Sequence, residues 1–101
     1  MTNKDLMLAA LTAQSIPAYA RLLLAVLLIV GDDTDAGRTT ICSQRDLARI
    51  AGVHPRTVLR STHALEQAGL LARTARHHDD GGCAPSLYTV FTDRLAPEEP
   101  R

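Results

Sequence analysis

The segment Ser43–Leu71, SQRDLARIAGVHPRTVLRSTHALEQAGLL, constrains the fold of this 101-residue chain more than any other part. Ser43 is a good N-cap, because its hydroxyl can accept a hydrogen bond from a free backbone N–H group in the first turn of a helix. Gly52 ends that helix, since glycine readily adopts the left-handed conformation that a tight turn needs. Pro55 suits the first turn of a second helix, where its missing N–H group costs nothing. The segment therefore predicts two helices joined by a short glycine turn.

The second predicted helix, Pro55–Ala68, has two different faces. At about 100° per residue, one face collects small and apolar side chains, Val58, Ser61, Thr62 and Leu65. The opposite face collects polar and basic side chains, Arg56, Arg60, His63 and Gln67. Side chains of the second kind can donate hydrogen bonds to phosphates and to base edges in the major groove of DNA. The alternative is that they are simply solvated.

Residues 39–90 resemble a winged helix-turn-helix domain, of the kind found in GntR- and MarR-type bacterial regulators and in plasmid or phage replication proteins. Short apolar and glycine motifs carry the resemblance: Leu47-Ala48, Gly52-Val53, Thr57-Val58, Leu65-Glu66 and Ala68-Gly69-Leu70-Leu71. It implies a mainly α domain with a small β-hairpin wing (α+β), with an extra N-terminal helix in this chain.

The resemblance also implies that five side chains contact DNA: Arg45, His54, Arg56, Thr57 and Arg60. The basic helix faces and the basic end of the wing strand add Arg49, His63, Arg73 and Arg76 to the expected DNA-binding residues. Two positions depart from the family pattern: His54 stands where Ser or Thr is usual, and Leu59 stands where many relatives carry a polar residue. His54 is therefore expected to be a weaker N-cap. Leu59 is open to three roles, contact with a thymine methyl group, packing on the wing, or contact with a partner.

The whole chain is predicted to form one domain over residues 1–93, followed by a flexible tail over residues 94–101. Its helices are predicted at 3–14, with Asn3 as the cap, at 17–30, and within the helix-turn-helix at 43–68. Its strands are predicted at 39–42, 70–76 and 87–91, the last two forming the wing over residues 70–91. The acidic residues 32–38 and the polar residues 77–86 are predicted to be loops.

The predicted helix Pro17–Val30 is apolar on nearly every side. A small domain cannot easily bury all sides of a helix in its own core, so the excess apolar surface favours contact with a second chain. We expect a homodimer formed through the N-terminal helices. The alternative is that the N-terminal helix folds back over this one. The apolar run Leu22–Val30 is too short to cross a membrane, which needs about 20 residues.

The formal net charge is zero, which argues weakly against binding to nucleic acid, but the charges are unevenly distributed. Residues 38–78 contain two acidic side chains, Asp46 and Glu66, against seven arginines. These arginines are Arg38, Arg45, Arg49, Arg56, Arg60, Arg73 and Arg76. A local basic face can bind phosphate even when the whole chain is neutral. Arg73, Arg76, His77 and His78 suit phosphate contact by the wing, whereas Asp79 and Asp80 do not.

Other functions have less support in the sequence. Two cysteines and no secretory signal indicate free thiols in a reducing cytoplasm. The sequence contains no nucleophile motif, no glycine-rich phosphate loop and no pair of carboxylates in apolar surroundings, so it does not suggest an enzyme. No cofactor is expected. His77, His78, Asp79, Asp80 and Cys83 include metal-ligand types, but their spacing matches no strong zinc pattern. A thiol sensor at Cys42 or Cys83 is equally unsupported.

The sequence thus predicts a cytoplasmic, sequence-specific protein that binds double-stranded DNA, acts as a homodimeric transcriptional repressor, and does not enter membranes. Two copies would read half-sites about one helical turn apart. One alternative is a plasmid or phage protein that uses the same domain in replication or partition. The other is a winged-helix adaptor that binds proteins, because a fold does not fix a function.

Overall fold

A computed structural model describes residues 2–13, 15–77 and 83–95, with the side chains of residues 3, 75–77, 83 and 84 outside the description. The helices are α1 (Asn3–Thr12), α2 (Ala18–Val30), α3 (Gln44–Ala51) and α4 (Pro55–Gln67). The strands are β1 (Asp32–Thr34), β2 (Gly37–Cys42), β3 (Leu71–His77) and β4 (Cys83–Val90), and a 3₁₀ turn follows at Thr92–Arg94. This α+β order, with paired helices α3 and α4 followed by a hairpin, confirms the winged helix-turn-helix fold.

Helix α1 is capped by Thr2 and not, as predicted, by Asn3. The Oγ1 atom of Thr2 accepts a hydrogen bond from the Asp5 N–H group at 3.2 Å, and Asp5 Oδ2 accepts one from the Thr2 N–H group at 3.2 Å. This reciprocal capping box satisfies two backbone donors at once. The bond from the Thr2 backbone is the main cause that holds the pKa of the Asp5 carboxyl below its usual value.

Helix α2 is the centre of the domain. Its residues Ala20 and Leu23 to Leu28 are buried, and it packs against α1, α3, α4 and strands β2 and β4. Helix α1 covers one side of it through Leu6, Ala9 and Ala10. The folded-back arrangement of the N-terminal helix therefore accounts for much of the apolar surface of α2. The large apolar side chains that remain exposed on α2 are Leu22, Ile29 and Val30.

The four strands form one antiparallel sheet in the order β1-β2-β4-β3. The prediction of a loop over residues 32–38 was wrong, because β1 and the start of β2 form a tight hairpin there. Asp33 stands opposite Arg38 in that hairpin, and the Thr34 hydroxyl donates to the Gly37 carbonyl at 3.1 Å. These cross-strand bonds compensate for the absence of any buried side chain on β1.

The wing hairpin is longer than predicted, since β3 reaches His77 and β4 already begins at Cys83. The register shifts between Thr74 and Arg76, as at a β-bulge. The wing tip, residues 78–82, lies outside the described residues. Leu71, Tyr88 and Val90 on the inner face of the sheet complete the core under the helices.

Residues 94 and 95 pack on the domain, although the sequence assigned them to the tail. Leu95 is buried, and the Nη1 atom of Arg94 donates to the Gly69 carbonyl at 2.5 Å. The Arg94 guanidinium also lies 4.5 Å from the centre of the Phe91 ring. Residues 96–101, the rest of the predicted tail, lie outside the described part of the chain.

Candidate nucleic-acid interface

Helix α3 begins and ends as its sequence predicts. The Ser43 hydroxyl accepts a hydrogen bond from the Asp46 N–H group at 3.0 Å, which caps the first turn. Gly52 has φ 71°, the left-handed conformation, and the Val53 N–H group donates to the Ala48 carbonyl at 2.9 Å. Val53 then packs against the core. This C-terminal motif turns the chain sharply into α4.

Helix α4 begins with a histidine cap. The Nδ1 atom of His54 accepts a hydrogen bond from the Arg56 N–H group at 3.1 Å, so His54 performs the capping role that Ser or Thr commonly has. Pro55 occupies the first helical turn. The Nε2 atom of Gln44 donates to the Pro55 carbonyl at 2.9 Å and ties the start of α3 to the start of α4.

The two predicted faces of α4 are confirmed. Its buried residues are Val58, Ser61, Thr62 and Leu65. Its exposed residues include Arg56, Arg60, His63 and Gln67, with Leu59 38% exposed on the same side of the helix axis. Thr57 is half-buried next to the cap. Helix α4 thus packs one face against the core and exposes a basic face whose side chains can form hydrogen bonds.

The arginines of α3 and the wing differ in how they are engaged. Arg45 and Arg49 are exposed, and Arg49 forms an ion pair with Asp46 at 2.9 Å. An exposed pair of this kind is worth about 0–1 kcal/mol, so a phosphate can compete for Arg49. The Nε atom of Arg73 donates to the Ser86 hydroxyl at 3.2 Å across the hairpin. The side chain of Arg76 lies outside the described residues.

Arg38 does not belong to the basic face, although the sequence counted it there. Its side chain is 9% exposed, donates to Asp33 at 2.9 Å, and donates from Nη1 to the Leu28 carbonyl at 2.9 Å. It has a structural role at the end of α2. The acidic side chains Asp33 and Asp93 line a cleft beside it, with Leu6 and Leu95. This acidic region is built from the first hairpin and the 3₁₀ turn, not from α3 or α4.

The thiol and metal alternatives gain nothing from the structure. Cys42 is half-buried and donates to the Ser43 carbonyl at 3.4 Å. Burial, followed by the nearby Asp46 carboxylate, raises the pKa of its thiol, which disfavours the reactive thiolate. Of the proposed metal ligands, residues 78–80 and the side chains of His77 and Cys83 lie outside the description. Among the residues that are described, no group of three metal-ligating side chains converges.

One residue at this surface was missed by the sequence reasoning. Tyr19, in the first turn of α2, lies with its ring under the Arg60 guanidinium, 4.8 Å from ring centre to Cζ. Its backbone carbonyl oxygen lies 3.2 Å from the Ser61 hydroxyl, within hydrogen-bond distance. No local signal could reveal this contact, because it joins positions that are far apart in the sequence.

Comparisons with known proteins agree with this geometry. The family model described as "Crp-like helix-turn-helix domain" matches residues 19–79. A solved structure described as "Possible transcriptional regulator from Methanosarcina mazei Go1" superimposes with a TM-score of 0.56 at 19% sequence identity. The match covers 87% of this chain and 64% of that one, and at this identity it shows a shared fold. No curated protein matches the sequence significantly. Within the described segments, no helix has both the length and the apolar character to cross a membrane.

Proposed function

We propose that this chain, which belongs to the Crp-like helix-turn-helix domain family, binds double-stranded DNA with α4 in the major groove and regulates transcription. One observation carries the proposal: α4 buries Val58, Ser61, Thr62 and Leu65 while it exposes Arg56, Arg60 and His63. Arginine donates in pairs to guanine edges or phosphate oxygens, which suits both base reading and backbone contact.

The proposed contacts divide by element. Arg56, Arg60 and His63 read base edges or hold phosphates from α4, while His54 and Thr57 act at its entry. Arg45 and Arg49, on α3, contact the phosphate backbone of the DNA. Arg73 and Arg76 contact it from the wing. The positive end of the α4 dipole adds to the attraction for phosphate at the entry.

We further propose that the protein acts as a homodimeric repressor. Leu8 and Leu11 on α1 are each 52% exposed, and Leu22 on α2 is 42% exposed. Leu11 and Leu22 line one shallow groove between the two helices, together with Ala18 and Arg21. A second copy that packs its own α1 and α2 there would bury these leucines. Two recognition helices held in this way can reach half-sites about one turn of DNA apart.

The test is binding of the purified protein to random duplex DNA and to the duplex upstream of its own gene, measured by fluorescence anisotropy across a salt series. We expect salt-dependent binding with a preference for particular sequences. The double variant Arg56→Ala/Arg60→Ala should lose the preference and most of the affinity while keeping its helical circular dichroism spectrum. Lys4→Ala, which removes an exposed positive charge from α1, is the control and should bind normally.

The adaptor function is the second candidate, and the exposed apolar side chains Ile50 (52%) and Leu59 (38%) on α3 and α4 favour it. The same binding experiment separates the two candidates. No binding to any duplex at low salt would contradict the DNA proposal and favour the adaptor.

The dimer is tested by the molar mass in solution, measured by light scattering after size exclusion. Leu8→Glu/Leu11→Glu should give a monomer, whereas Ile41→Glu should not, because Ile41 (59% exposed) lies on β2 rather than on the N-terminal helices. A monomeric parent protein would contradict the dimer.

A further inference from the structure

Tyr19 connects the start of α2 to the exposed face of α4. Its ring is half-buried, and the Cζ atom of Arg60 lies 4.8 Å from the ring centre. At this separation the guanidinium is attracted to the electron-rich face of the ring. Arg60 itself is exposed and has neither a carboxylate partner nor a hydrogen-bond acceptor within the described part of the chain. The ring of Tyr19 is therefore the side-chain contact that the described part of the chain offers this arginine.

The backbone of Tyr19 also contacts α4. The buried hydroxyl of Ser61 lies 3.2 Å from the Tyr19 carbonyl oxygen and 2.6 Å from the Thr57 carbonyl oxygen, within donor distance of both. The contact between Ser61 and Tyr19 joins α4 to α2, and Ser61 is the residue that follows Arg60 in the sequence. Two contacts thus join the first turn of α2 to neighbouring positions of α4, the ring with Arg60 and the carbonyl with Ser61.

We propose that Tyr19 is a positioning residue for DNA recognition, which holds the Arg60 guanidinium in the orientation that contacts the DNA. The inference rests on the proposed function. An exposed arginine side chain that has no contacts loses conformational entropy when it binds DNA. Contact with the ring restricts the Arg60 side chain before binding and so reduces this entropy cost. The contact with the ring gives none of the five guanidinium N–H groups a hydrogen-bond acceptor among the described residues, so these donors remain available to a base or phosphate.

The test is a double-mutant cycle on the affinity for the preferred duplex. Tyr19→Leu keeps an apolar side chain but removes the ring, and should weaken binding by about two- to fivefold, the range of an exposed cation–π contact. Tyr19→Phe keeps the ring face and should bind nearly as well as the parent. In the Arg60→Ala background, Tyr19→Leu should have no further effect.

The outcomes separate this inference from the proposed function. If the losses from Tyr19→Leu and Arg60→Ala simply add, Tyr19 does not act through Arg60. If Tyr19→Phe loses as much as Tyr19→Leu, the hydroxyl and not the ring is responsible, and the inference is again wrong. Each result is read on variants whose unfolding midpoint in urea has been measured, and a loss that follows stability rather than Arg60 also overturns it. A parent protein that binds no DNA overturns the proposed function, and this inference falls with it.

Discussion

Arg38 and Asp33 stand opposite each other on the first hairpin, and the Arg38 Nε atom donates to Asp33 Oδ1 at 2.9 Å. The same guanidinium also donates to the Leu28 carbonyl at the C-terminal end of α2. A carbonyl in the last turn of a helix has no partner within the helix, so Arg38 satisfies it. The pair thereby joins the hairpin to the central helix.

The two members of this pair should differ in their effect on stability. Arg38→Ala removes a buried side chain and leaves the Leu28 carbonyl unpaired, so we expect a loss of about 1–3 kcal/mol. Asp33→Ala should lose only about 0–1 kcal/mol, because the Asp33 side chain is 79% exposed and its charge is screened by water. Urea unfolding of both variants measures the difference, and equal losses would contradict the role of Arg38 at the helix end.

Two glycines with positive φ should tolerate alanine very differently. A β-carbon on Gly37 (φ 132°) would overlap the backbone carbonyl oxygen of Val90, which cannot move without breaking the sheet. Gly52 (φ 71°) has nothing within 4 Å of that position, so alanine there meets only the strain of the left-handed conformation. We expect Gly52→Ala to cost about 1–2 kcal/mol and Gly37→Ala more than about 4 kcal/mol. Thermal unfolding of both variants provides the measurement.

Leu65 tests the orientation of α4 about its axis. It is 0% exposed, so Leu65→Ala should destabilise the protein by about 2–5 kcal/mol. Leu59→Ala, on the 38% exposed position of the same helix, is the control and should change stability by roughly 0.5 kcal/mol or less. A reversed order of the two effects in urea unfolding would mean that the faces of α4 have been assigned the wrong way round.

Tyr88 predicts a loss of stability at alkaline pH. Burial raises the pKa of its phenol and outweighs the nearby Arg73, which lowers it. The phenol of the unfolded chain ionises near pH 10, before that of the folded protein. The contribution to stability is therefore complete below about pH 10 and is lost as the pH rises through the folded pKa. Unfolding free energies at rising pH should fall more steeply for the parent than for Tyr88→Phe; parallel curves would contradict the prediction.

The helix-turn-helix could be predicted because its signals are local. Ser43, Gly52 and Pro55 each act on the backbone within a few residues, and the period of α4 separates Leu65 from Arg60 without any tertiary information. The predicted strand at 70–76 agrees with β3 for the same reason, because Gly69 marks the end of α4 and the strand follows it directly in the sequence. Contact with DNA remains a prediction for every basic residue of this surface.

The remaining features depend on contacts that no local pattern encodes. Strand β1 is Asp-Asp-Thr with every side chain exposed, so it has no apolar alternation to reveal it. Arg38 has the same local appearance as the surface arginines, and only the fold places it against Leu28. Tyr19 and Ser61 are 42 positions apart and meet because α2 packs on α4. Leu95 is buried because the fold brings it against the core, although the residues that precede it in the sequence are polar.

The histidine cap of α4 fixes a tautomer. A neutral imidazole that accepts a hydrogen bond at Nδ1 carries its own hydrogen on Nε2, so the bond from the Arg56 N–H group leaves a second N–H donor on the exposed His54 ring. A serine cap uses its one side-chain oxygen to accept the hydrogen bond from the helix, and it has no second polar atom. His54 therefore caps α4 and also adds a donor at the N-terminal end of that helix.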